Sequence, residues 1–252
     1  MAGINGKSII VTGGASGIGE AAVRLFTSEG ALVTFADING EKGGVLVDQL
    51  TGEGFQAQFV QADISNEADV RAMVDQAVAG FGRLDGAFNN AGIINQPGLL
   101  ADMSLDEVQR VFGVNAFGTF LCMKYEIKAM LRSGGGSIVN TTSVNAIIYD
   151  TQLAAYSASK HAINGFTRAA AVEYGEHGIR VNAIAPSATR TPLYVEYIET
   201  HPEYAPVLEG AHALRRVAEP DEQARAAMWL LSDEPSFVTG VNLPVEGGYT
   251  LF

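Results

Sequence analysis

The sequence predicts a single α/β domain built on a doubly wound, seven-stranded parallel sheet that is flanked by helices. Short apolar runs rich in β-branched residues alternate with longer segments of helical periodicity. Several of these runs are apolar at successive positions rather than at alternate ones, which is typical of strands buried on both faces. The connections are short and no linker or internal repeat divides the chain, so we expect residues 1–252 to form one domain.

The predicted strands and helices follow one another in β-α-β order. In the second predicted helix, Val70, Met73 and Val74 recur at helical spacing, with Asn66 or Ser65 as the candidate cap. The third helix is so long that we expect two neighbouring protomers to share it as a contact surface. The predicted strands are Ser8–Thr12, 31–37, 56–63, 84–89, 137–142, 180–185 and 241–245, and the predicted helices are 19–29, Glu67–Phe81, 105–131, Ala154–Tyr174 and 219–231.

Composition restricts the classes of partner and compartment. The net charge is −12, and an acidic surface repels nucleic-acid backbones and anionic membranes, so we expect neither partner. The single cysteine, Cys122, cannot form an internal disulfide, which fits a reducing compartment. No apolar run reaches the roughly 18 residues of a membrane span, and residues 1–8 lack the pattern of a signal peptide. We therefore expect a cytoplasmic protein.

A glycine-rich loop, TGGASGIG from Thr12 to Gly19, follows the first strand and precedes the first helix. Glycine lets the backbone approach a pyrophosphate closely, and a helix start offers free N–H groups to phosphate oxygens. A tight turn without a ligand is the alternative for an isolated glycine cluster, but the flanking strand and helix favour a dinucleotide-binding Rossmann fold. The residues expected at the pyrophosphate are Gly13, Ser16, Gly17, Ile18 and Gly19.

An acidic residue, Asp37, ends the second predicted strand 18 residues beyond Gly19. A carboxylate there accepts hydrogen bonds from the hydroxyls of an adenosine ribose and repels a 2′-phosphate. No Lys or Arg occurs in the glycine-rich loop or at positions 38 and 39. The sequence therefore favours NAD over NADP as the cofactor, the alternative being that Asp37 only caps a turn.

Tyr156 and Lys160 lie four residues apart in a helical segment, so their side chains share a face. The ordinary pKa of tyrosine is about 10, and a neighbouring ammonium together with a positive nicotinamide ring would favour the phenolate. Without further context, a surface tyrosine beside a solvated lysine is the more common explanation. The context is Ser143, which ends a predicted strand 13 residues before Tyr156, where doubly wound sheets bind ligands. Thr142 is adjacent, so either hydroxyl could hold a substrate oxygen.

With these motifs in place, the whole sequence resembles the short-chain dehydrogenase/reductase family, in the subgroup of about this chain length. The resemblance is carried in order by residues 12–19 (TGGASGIG), Asp63, residues 89–92 (NNAG), Asn115, Ser143, residues 156–160 (YSASK) and Pro186 followed by Thr191.

The resemblance implies a role for each of these positions and no metal ligand. Asp63 and Ile64 would lie at the adenine, and Asn90, Ala91 and Gly92 beside the adenosine ribose and the middle of the cofactor. Pro186, Thr189 and Thr191 would lie on the nicotinamide side. Asn115 would hold a water for proton relay and Ser143 would orient the substrate. Tyr156 would be the acid and base, and Lys160 would lower its pKa and bind the nicotinamide ribose.

Single positions retain structural alternatives. Asn115 could only distort its helix, Asn89 could tie strands together, and Thr191 could cap the following helix. Two departures from the family pattern lie on the substrate side: Ser187 stands where the family usually has glycine after the proline, and residues 145–146 (Asn-Ala) replace a glycine that often follows the catalytic serine.

The expected substrate is a neutral, fairly apolar secondary alcohol or ketone, of a cyclic or aromatic kind. A loop and helix at about 187–215 would cover it and exclude water. Residues 145–153, between Ser143 and Tyr156, offer no Arg or Lys to clamp a carboxylate or phosphate. Residues 87–92 and 120–127 resemble bacterial members that oxidise cyclic diols.

Family members of this size are usually homotetramers, and the expected contact surfaces are residues 105–131, 154–174 and 235–252. Two other functions are weighed against an NAD-dependent alcohol dehydrogenase or ketone reductase. One is an epimerase or dehydratase that retains its NAD, although such relatives usually carry a larger substrate domain. The other is a non-catalytic dinucleotide-binding protein, which would have been marked by loss of Tyr156, Lys160 or Ser143.

Overall fold

The structure is a computed structural model that describes residues 3–251. Seven parallel strands form one sheet in the order β3-β2-β1-β4-β5-β6-β7, which confirms the predicted doubly wound sheet. Each predicted strand is present, and the ends differ by a few residues at most. The strands are β1 (Ser8–Thr12), β2 (Leu32–Asp37), β3 (Ala57–Gln61), β4 (Gly86–Asn89), β5 (Gly136–Thr141), β6 (Ile179–Pro186) and β7 (Asn242–Val245).

Helices cover both faces of this sheet. On one face, α3, α5 and α6 pack residues such as Met73 and Met130 against Ile10 of β1. On the other face, α1, α2 and α9 pack against Val11, the next residue of the same strand. The helices are α1 (Gly17–Ser28), α2 (Gly40–Gly52), α3 (Glu67–Phe81), α4 (Leu105–Phe112), α5 (Thr119–Ser133), α6 (Ala154–Tyr174), α7 (Pro192–Thr200), α8 (Tyr204–Gly210) and α9 (Pro220–Leu231).

Helix α2 was not predicted from the sequence, because glycines at 40, 43, 44 and 52 weaken its helical signal. Two features compensate for them. The Asn39 side chain accepts a hydrogen bond from the Lys42 amide and caps the helix start. Gly43 lies so close to the ring of Phe59 on β3 that a side chain at this position would overlap it. This glycine therefore permits the helix to pack on the sheet.

The prediction of one α-helix over 105–131 was wrong in its middle. A π-helical turn, Gly113–Gly118, separates α4 from α5, although the backbone stays helical throughout. Such a turn contains one residue more than α-helical spacing requires, and the apolar pattern on either side does not reveal it. Asn115 lies within this turn and is fully buried.

The parallel sheet brings the carboxyl ends of its strands to one edge. The strand order reverses between β1 and β4, and ligands of doubly wound sheets bind at this point. The predicted motifs follow β1, β4, β5 and β6 at that same edge. Within residues 3–251, no helix is both long enough and apolar enough to cross a membrane.

Candidate active site

The glycine-rich loop forms a cradle that leaves no room for side chains. Gly13 and Gly17 have φ of +65° and +56°, which residues with a Cβ rarely adopt. A Cβ on Gly13 would come within 2.9 Å of the Ala91 Cα. The side chain of Ser16 does not cap α1, so the first N–H groups of that helix stay available to an anion. The loop therefore fits the pyrophosphate of a dinucleotide.

A cavity of about 420 Å³ extends from this loop along the carboxyl edge of the sheet. It brings together most of the residues that the sequence assigned to a cofactor, from the motifs that follow β1, β2, β3 and β4 and from the residue before α7. Those that line it are Gly13, Ser16, Gly17, Ile18, Asp37, Asp63, Ile64, Asn90, Ala91, Gly92 and Thr191.

The cavity lining lacks five residues that were predicted to contact the cofactor: Gly19, Tyr156, Lys160, Pro186 and Thr189. Gly19 packs beneath the loop against the carbonyl of Gly13, so its role is close packing of the helix on the loop. Pro186 is buried at the end of β6. The buried Thr189 hydroxyl donates to the carbonyl of Ser187.

The carboxylate of Asp37 lies at the wall of the cavity and also organises its own turn. Its two oxygens accept hydrogen bonds from the amides of Ala15 (3.1 Å) and Asn39 (2.9 Å). The alternative expected for this residue, a turn cap, is therefore present. Each carboxylate oxygen has two lone pairs, so both can still accept from a ribose. Among the described residues, the cavity lining holds two carboxylates, Asp37 and Asp63, and no Lys or Arg.

The loop after β4 is fixed by Thr12, to which the sequence assigned no separate role. The Thr12 hydroxyl accepts hydrogen bonds from the amides of Asn90 (3.0 Å) and Ala91 (3.1 Å). The preceding residue, Asn89, is buried and donates to Asn140 of β5 and to Glu126 of α5, which is the structural role expected as its alternative. Thr12 belongs to the predicted motif, but its contact across the sheet becomes visible only once β1 and β4 are paired.

Tyr156 and Lys160 lie in the first two turns of α6, beside the end of β5. The Lys160 Nζ lies 5.5 Å from the ring centroid of Tyr156 and donates to the carbonyl oxygen of Thr141 (2.8 Å). Burial lowers the pKa of Lys160 to about 8. Burial also raises the pKa of Tyr156, and the charge of Asp150 raises it further, while a hydrogen bond with the Ser143 side chain lowers it. The protein alone therefore makes this phenol less acidic than free tyrosine.

The two neighbouring hydroxyls at the end of β5 have different environments. Thr142 donates to the carbonyl of Ile184 (2.8 Å) and lies 2.6 Å from Asn242 Oδ1, so its hydroxyl is committed to β6 and β7. The Ser143 hydroxyl accepts from the amide of Asn145 and interacts with Tyr156. Of the two, only Ser143 shares an environment with the tyrosine.

Asn115, in the π-helical turn, connects the loop after β4 to α6. Its side chain accepts from the amide of Ile93 (2.8 Å) and donates to the carbonyl of Ile93 (2.8 Å) and to the hydroxyl of Ser159 (3.0 Å). Gly92 packs between this side chain and Lys160, because a Cβ there would lie 3.2 Å from Asn115 Oδ1 and 3.4 Å from Lys160 Nζ. The side chain therefore positions the groups around Lys160, and its role in a proton relay stays a prediction.

Helices α7 and α8 lie within the segment that was expected to cover a substrate. Neither contains a buried residue, so packing into a core does not explain their apolar side chains. Leu193 is 62% exposed and Val207 is 61% exposed. Thr191 accepts from the amide of Tyr194 and caps α7, as its structural alternative proposed, and it also lines the cavity.

Several residues on the substrate side were missed from the sequence. Ser187, noted only as a departure from the family pattern, lies 2.8 Å from His212 Nε2, and the other ring nitrogen of His212 donates to the carbonyl of Leu208. Tyr249 donates to Asp150 across 99 residues of sequence (3.2 Å). No local pattern signals contacts of such long range.

Comparisons with known proteins agree with this architecture. A family model described as Enoyl-(Acyl carrier protein) reductase matches residues 13–250. A 2,5-dichloro-2,5-cyclohexadiene-1,4-diol dehydrogenase of Sphingobium indicum is 49% identical over 252 residues, covering 99% of both chains. A cyclohexanol dehydrogenase of Acinetobacter sp. is 38% identical, covering 98% of this chain and 96% of the relative. The crystal structure of levodione reductase superposes with a TM-score of 0.91 at 34% identity, covering 97% and 98% of the two chains.

Proposed function

Because this chain belongs to the short-chain dehydrogenase/reductase family of oxidoreductases, we propose that it uses NAD to interconvert a secondary alcohol and a ketone, with Tyr156 as acid and base. One observation supports the proposal above all. Tyr156, Lys160 and Ser143 lie together at the carboxyl edge of the sheet, next to a cavity that fits a dinucleotide. In the direction of oxidation, the bound cofactor supplies the hydride acceptor.

Each catalytic residue has a defined task in this proposal. The Ser143 hydroxyl donates to the substrate oxygen and aligns it with Tyr156. In oxidation the Tyr156 phenolate takes the hydroxyl proton, and in reduction the phenol returns it. Lys160, with a pKa of about 8, is mostly protonated at neutral pH. Its ammonium and the positive nicotinamide both favour the phenolate, and together they oppose the effect of burial on the pKa of Tyr156.

The preference for NAD over NADP rests on charge. The 2′-phosphate of NADP would lie beside the carboxylate of Asp37, and in the part of the chain that the structure describes the cavity lining holds no cation to neutralise the phosphate. We expect kcat/KM to be higher with NAD by at least about tenfold. Asp37→Ala should lower the ratio of kcat/KM with NAD to kcat/KM with NADP. Asp48→Ala, which removes a charge from α2, should leave this ratio unchanged. A wild-type enzyme that turned over NADP as well as NAD would contradict the proposal.

The proposed substrates are neutral cyclic alcohols, by analogy with the two relatives that are described as acting on a cyclic diol and on cyclohexanol. The apolar side chains of α7 and α8 support this class, and residues 187–215 would cover the ring and exclude water. The description of the matching family model raises a second class, the enoyl thioester. Turnover of an enoyl thioester but of no cyclic alcohol would favour that class.

The experiment is to measure NADH formation with cyclohexanol and cyclohexane-1,4-diol. The wild-type enzyme should form NADH, and Tyr156→Phe should abolish this activity while NAD binding persists. Tyr174→Phe, at the other end of the same helix, is the matched control and should remain active. An epimerase or dehydratase that retains its NAD would show no net NADH, and a non-catalytic protein would bind NAD without converting any alcohol.

We also propose a homotetramer that buries the exposed apolar residues of three regions. Phe117 and Phe120 lie at the π-helical turn and the start of α5, Val172 lies on α6, and Phe237 and Leu251 lie near the C-terminus. Val172 is 85% exposed, and a protomer that packs on α6 would cover it. Light scattering should give four times the chain mass, and a monomer would contradict this assembly.

A further inference from the structure

A carboxylate and a tyrosine meet at the substrate side of the site, outside the residues assigned so far. Asp150 lies between Ser143 and the start of α6, and Tyr249 belongs to a short 3₁₀ helix, Tyr249–Leu251. The Tyr249 hydroxyl donates to Asp150 Oδ1 (3.2 Å). Within residues 3–251, no group donates a hydrogen bond to Asp150 Oδ2. Both residues are partly exposed, so a ligand can reach them.

The pair is attached to residues 187–215, the segment expected to cover the substrate. The ring of Tyr249 packs on the ring of His212 with centroids 5.1 Å apart, and His212 is bonded to Ser187, directly after β6. Leu214, two residues beyond His212, donates to the carbonyl of Gly247 and fixes the C-terminal segment here. The loop that carries Asp150 lies against the start of α6: the adjacent Tyr149 stacks on His161, and Asn95 joins the Gln152 carbonyl to the amide of Tyr156.

The chemistry of this pair suits a hydroxyl group. A carboxylate with a free oxygen accepts a hydrogen bond from an alcohol, and such a charge-assisted bond is stronger than one between neutral groups. The segment expected to cover the substrate, residues 187–215, exposes apolar side chains such as Leu193, Val195 and Val207. A substrate whose only hydroxyl lies at the reacting carbon would leave Asp150 Oδ2 without a donor, whereas a diol offers a donor to this oxygen in addition to Tyr249.

We propose that Asp150, oriented by Tyr249, binds the second hydroxyl of a cyclic diol while the first hydroxyl is oxidised at Tyr156. This assignment rests on the proposed alcohol oxidation and narrows its substrate class to diols. A relative that is 49% identical is described as acting on a cyclohexadiene-1,4-diol, which carries its two hydroxyls on opposite carbons of one ring. Asp150 and Tyr156 would thus recognise the two ends of one substrate.

The test compares cyclohexane-1,4-diol with cyclohexanol, which lacks only the second hydroxyl. Asp150→Asn should lower the ratio of kcat/KM for the diol to kcat/KM for cyclohexanol by about tenfold or more, mainly through KM for the diol. Tyr249→Phe keeps the ring packed on His212 and removes only the hydroxyl, so it should lower the ratio in the same direction by a smaller factor. Thermal unfolding followed by circular dichroism verifies that both variants fold.

Two control variants match these changes elsewhere in the chain. Asp75→Asn removes an exposed negative charge from α3, and Tyr125→Phe removes a second hydrogen bond from a tyrosine to a carboxylate, that with Glu67. Both should leave the substrate ratio unchanged. If Asp150→Asn kept the ratio of kcat/KM for the diol to kcat/KM for cyclohexanol within about twofold of wild type, the assignment would be overturned. This holds whether both kcat/KM values fell together or neither changed.

A binding measurement separates this inference from the proposed function. Calorimetry gives the Kd of each alcohol for the enzyme saturated with NADH, without turnover. Asp150→Asn should weaken binding of the diol relative to cyclohexanol by about tenfold. If the wild-type enzyme oxidised no alcohol, the proposed function would fail. The role of Asp150 would then be tested by binding alone. It would be supported if Asp150→Asn lost the preference for the diol over cyclohexanol, and contradicted if the variant kept it.

Discussion

The Nζ of Lys160 donates a 2.8 Å hydrogen bond to the carbonyl oxygen of Thr141, the last residue of β5. This bond ties the start of α6 to the end of a central strand and uses one of the three hydrogens of the ammonium. The other two remain available to a ligand. The lysine therefore fixes the geometry of the site as well as its charge, and the two contributions can be separated by substitution.

Lys160→Met keeps an unbranched stem of similar length and removes the charge. Without the cation, burial keeps the phenol of Tyr156 protonated to higher pH. We expect kcat/KM for alcohol oxidation to fall by about 10²–10⁴, and its rise with pH to begin at higher pH than in wild type. A pH–rate profile of both proteins measures this. An unshifted profile in the variant would show that the lysine acts only through geometry.

The two hydroxyls at the end of β5 should respond differently to removal. Ser143→Ala should lower kcat by about 10²-fold, because one donor to the reacting oxygen is lost, while the unfolding midpoint changes little. Thr142→Ala should do the reverse, because it removes the buried bonds to Ile184 and Asn242 and costs about 1–3 kcal/mol of stability. Steady-state kinetics and urea unfolding of each variant test the pair. Equal losses of kcat would mean that the assignment to Ser143 is incorrect.

Gly13 and Gly44 form a matched pair for testing the cofactor loop. Gly13→Ala places a methyl group 2.9 Å from the Ala91 Cα at a φ of +65°, so we expect NAD to bind at least about tenfold more weakly. Gly44→Ala adds the same methyl group to α2, where no atom lies within 4 Å, and should stabilise the fold by about 0.5–1 kcal/mol. Fluorescence titration with NAD compares them. Similar affinities would exclude close contact at the loop.

Glu126 should make the protein less stable as pH rises. It is fully buried on α5, and burial raises its pKa from 4.5 to about 8, opposed by the hydrogen bond from Asn89. Among the described residues, Glu126 Oε1 and Asn89 Oδ1 have no partner, and the proton of a neutral carboxylic acid would supply one donor.

Between pH 4.5 and about 8 the folded protein keeps this proton and the unfolded chain does not. The free energy of unfolding therefore falls with rising pH, by up to about 1.4 kcal/mol per unit, and the contribution levels off above pH 8. Glu126→Gln should remove this slope, and Glu173→Gln, an exposed control on α6, should retain it. Urea unfolding at several pH values measures the slopes. The same slope in wild type and Glu126→Gln would refute the neutral carboxyl.

The strands and the cofactor loop could be predicted because their signals are local. A buried parallel strand is a continuous apolar run, and the loop after β1 needs glycine at Gly13 and Gly17 for its backbone angles. Helix α2 was missed because its glycines, which the packing on Phe59 requires, resemble a loop. In that segment the tertiary contact outweighs the local propensity.

The catalytic groups were predicted by type and spacing, but their electrostatics were not. Sequence placed Lys160 one turn from Tyr156, and the structure adds that burial raises the pKa of Tyr156 and lowers that of Lys160. Burial depends on the whole fold, so no local pattern contains it. The contact between Asp150 and Tyr249 escaped prediction for a related reason, since 99 residues separate them.

The π-helical turn at Gly113–Gly118 amounts to a one-residue insertion in an otherwise regular helix. Deleting one residue there would convert the turn to α-helical spacing. What would change is Asn115, the side chain that joins Ile93 to Ser159. The extra residue therefore joins the loop after β4 to α6, and we expect its deletion to break that link.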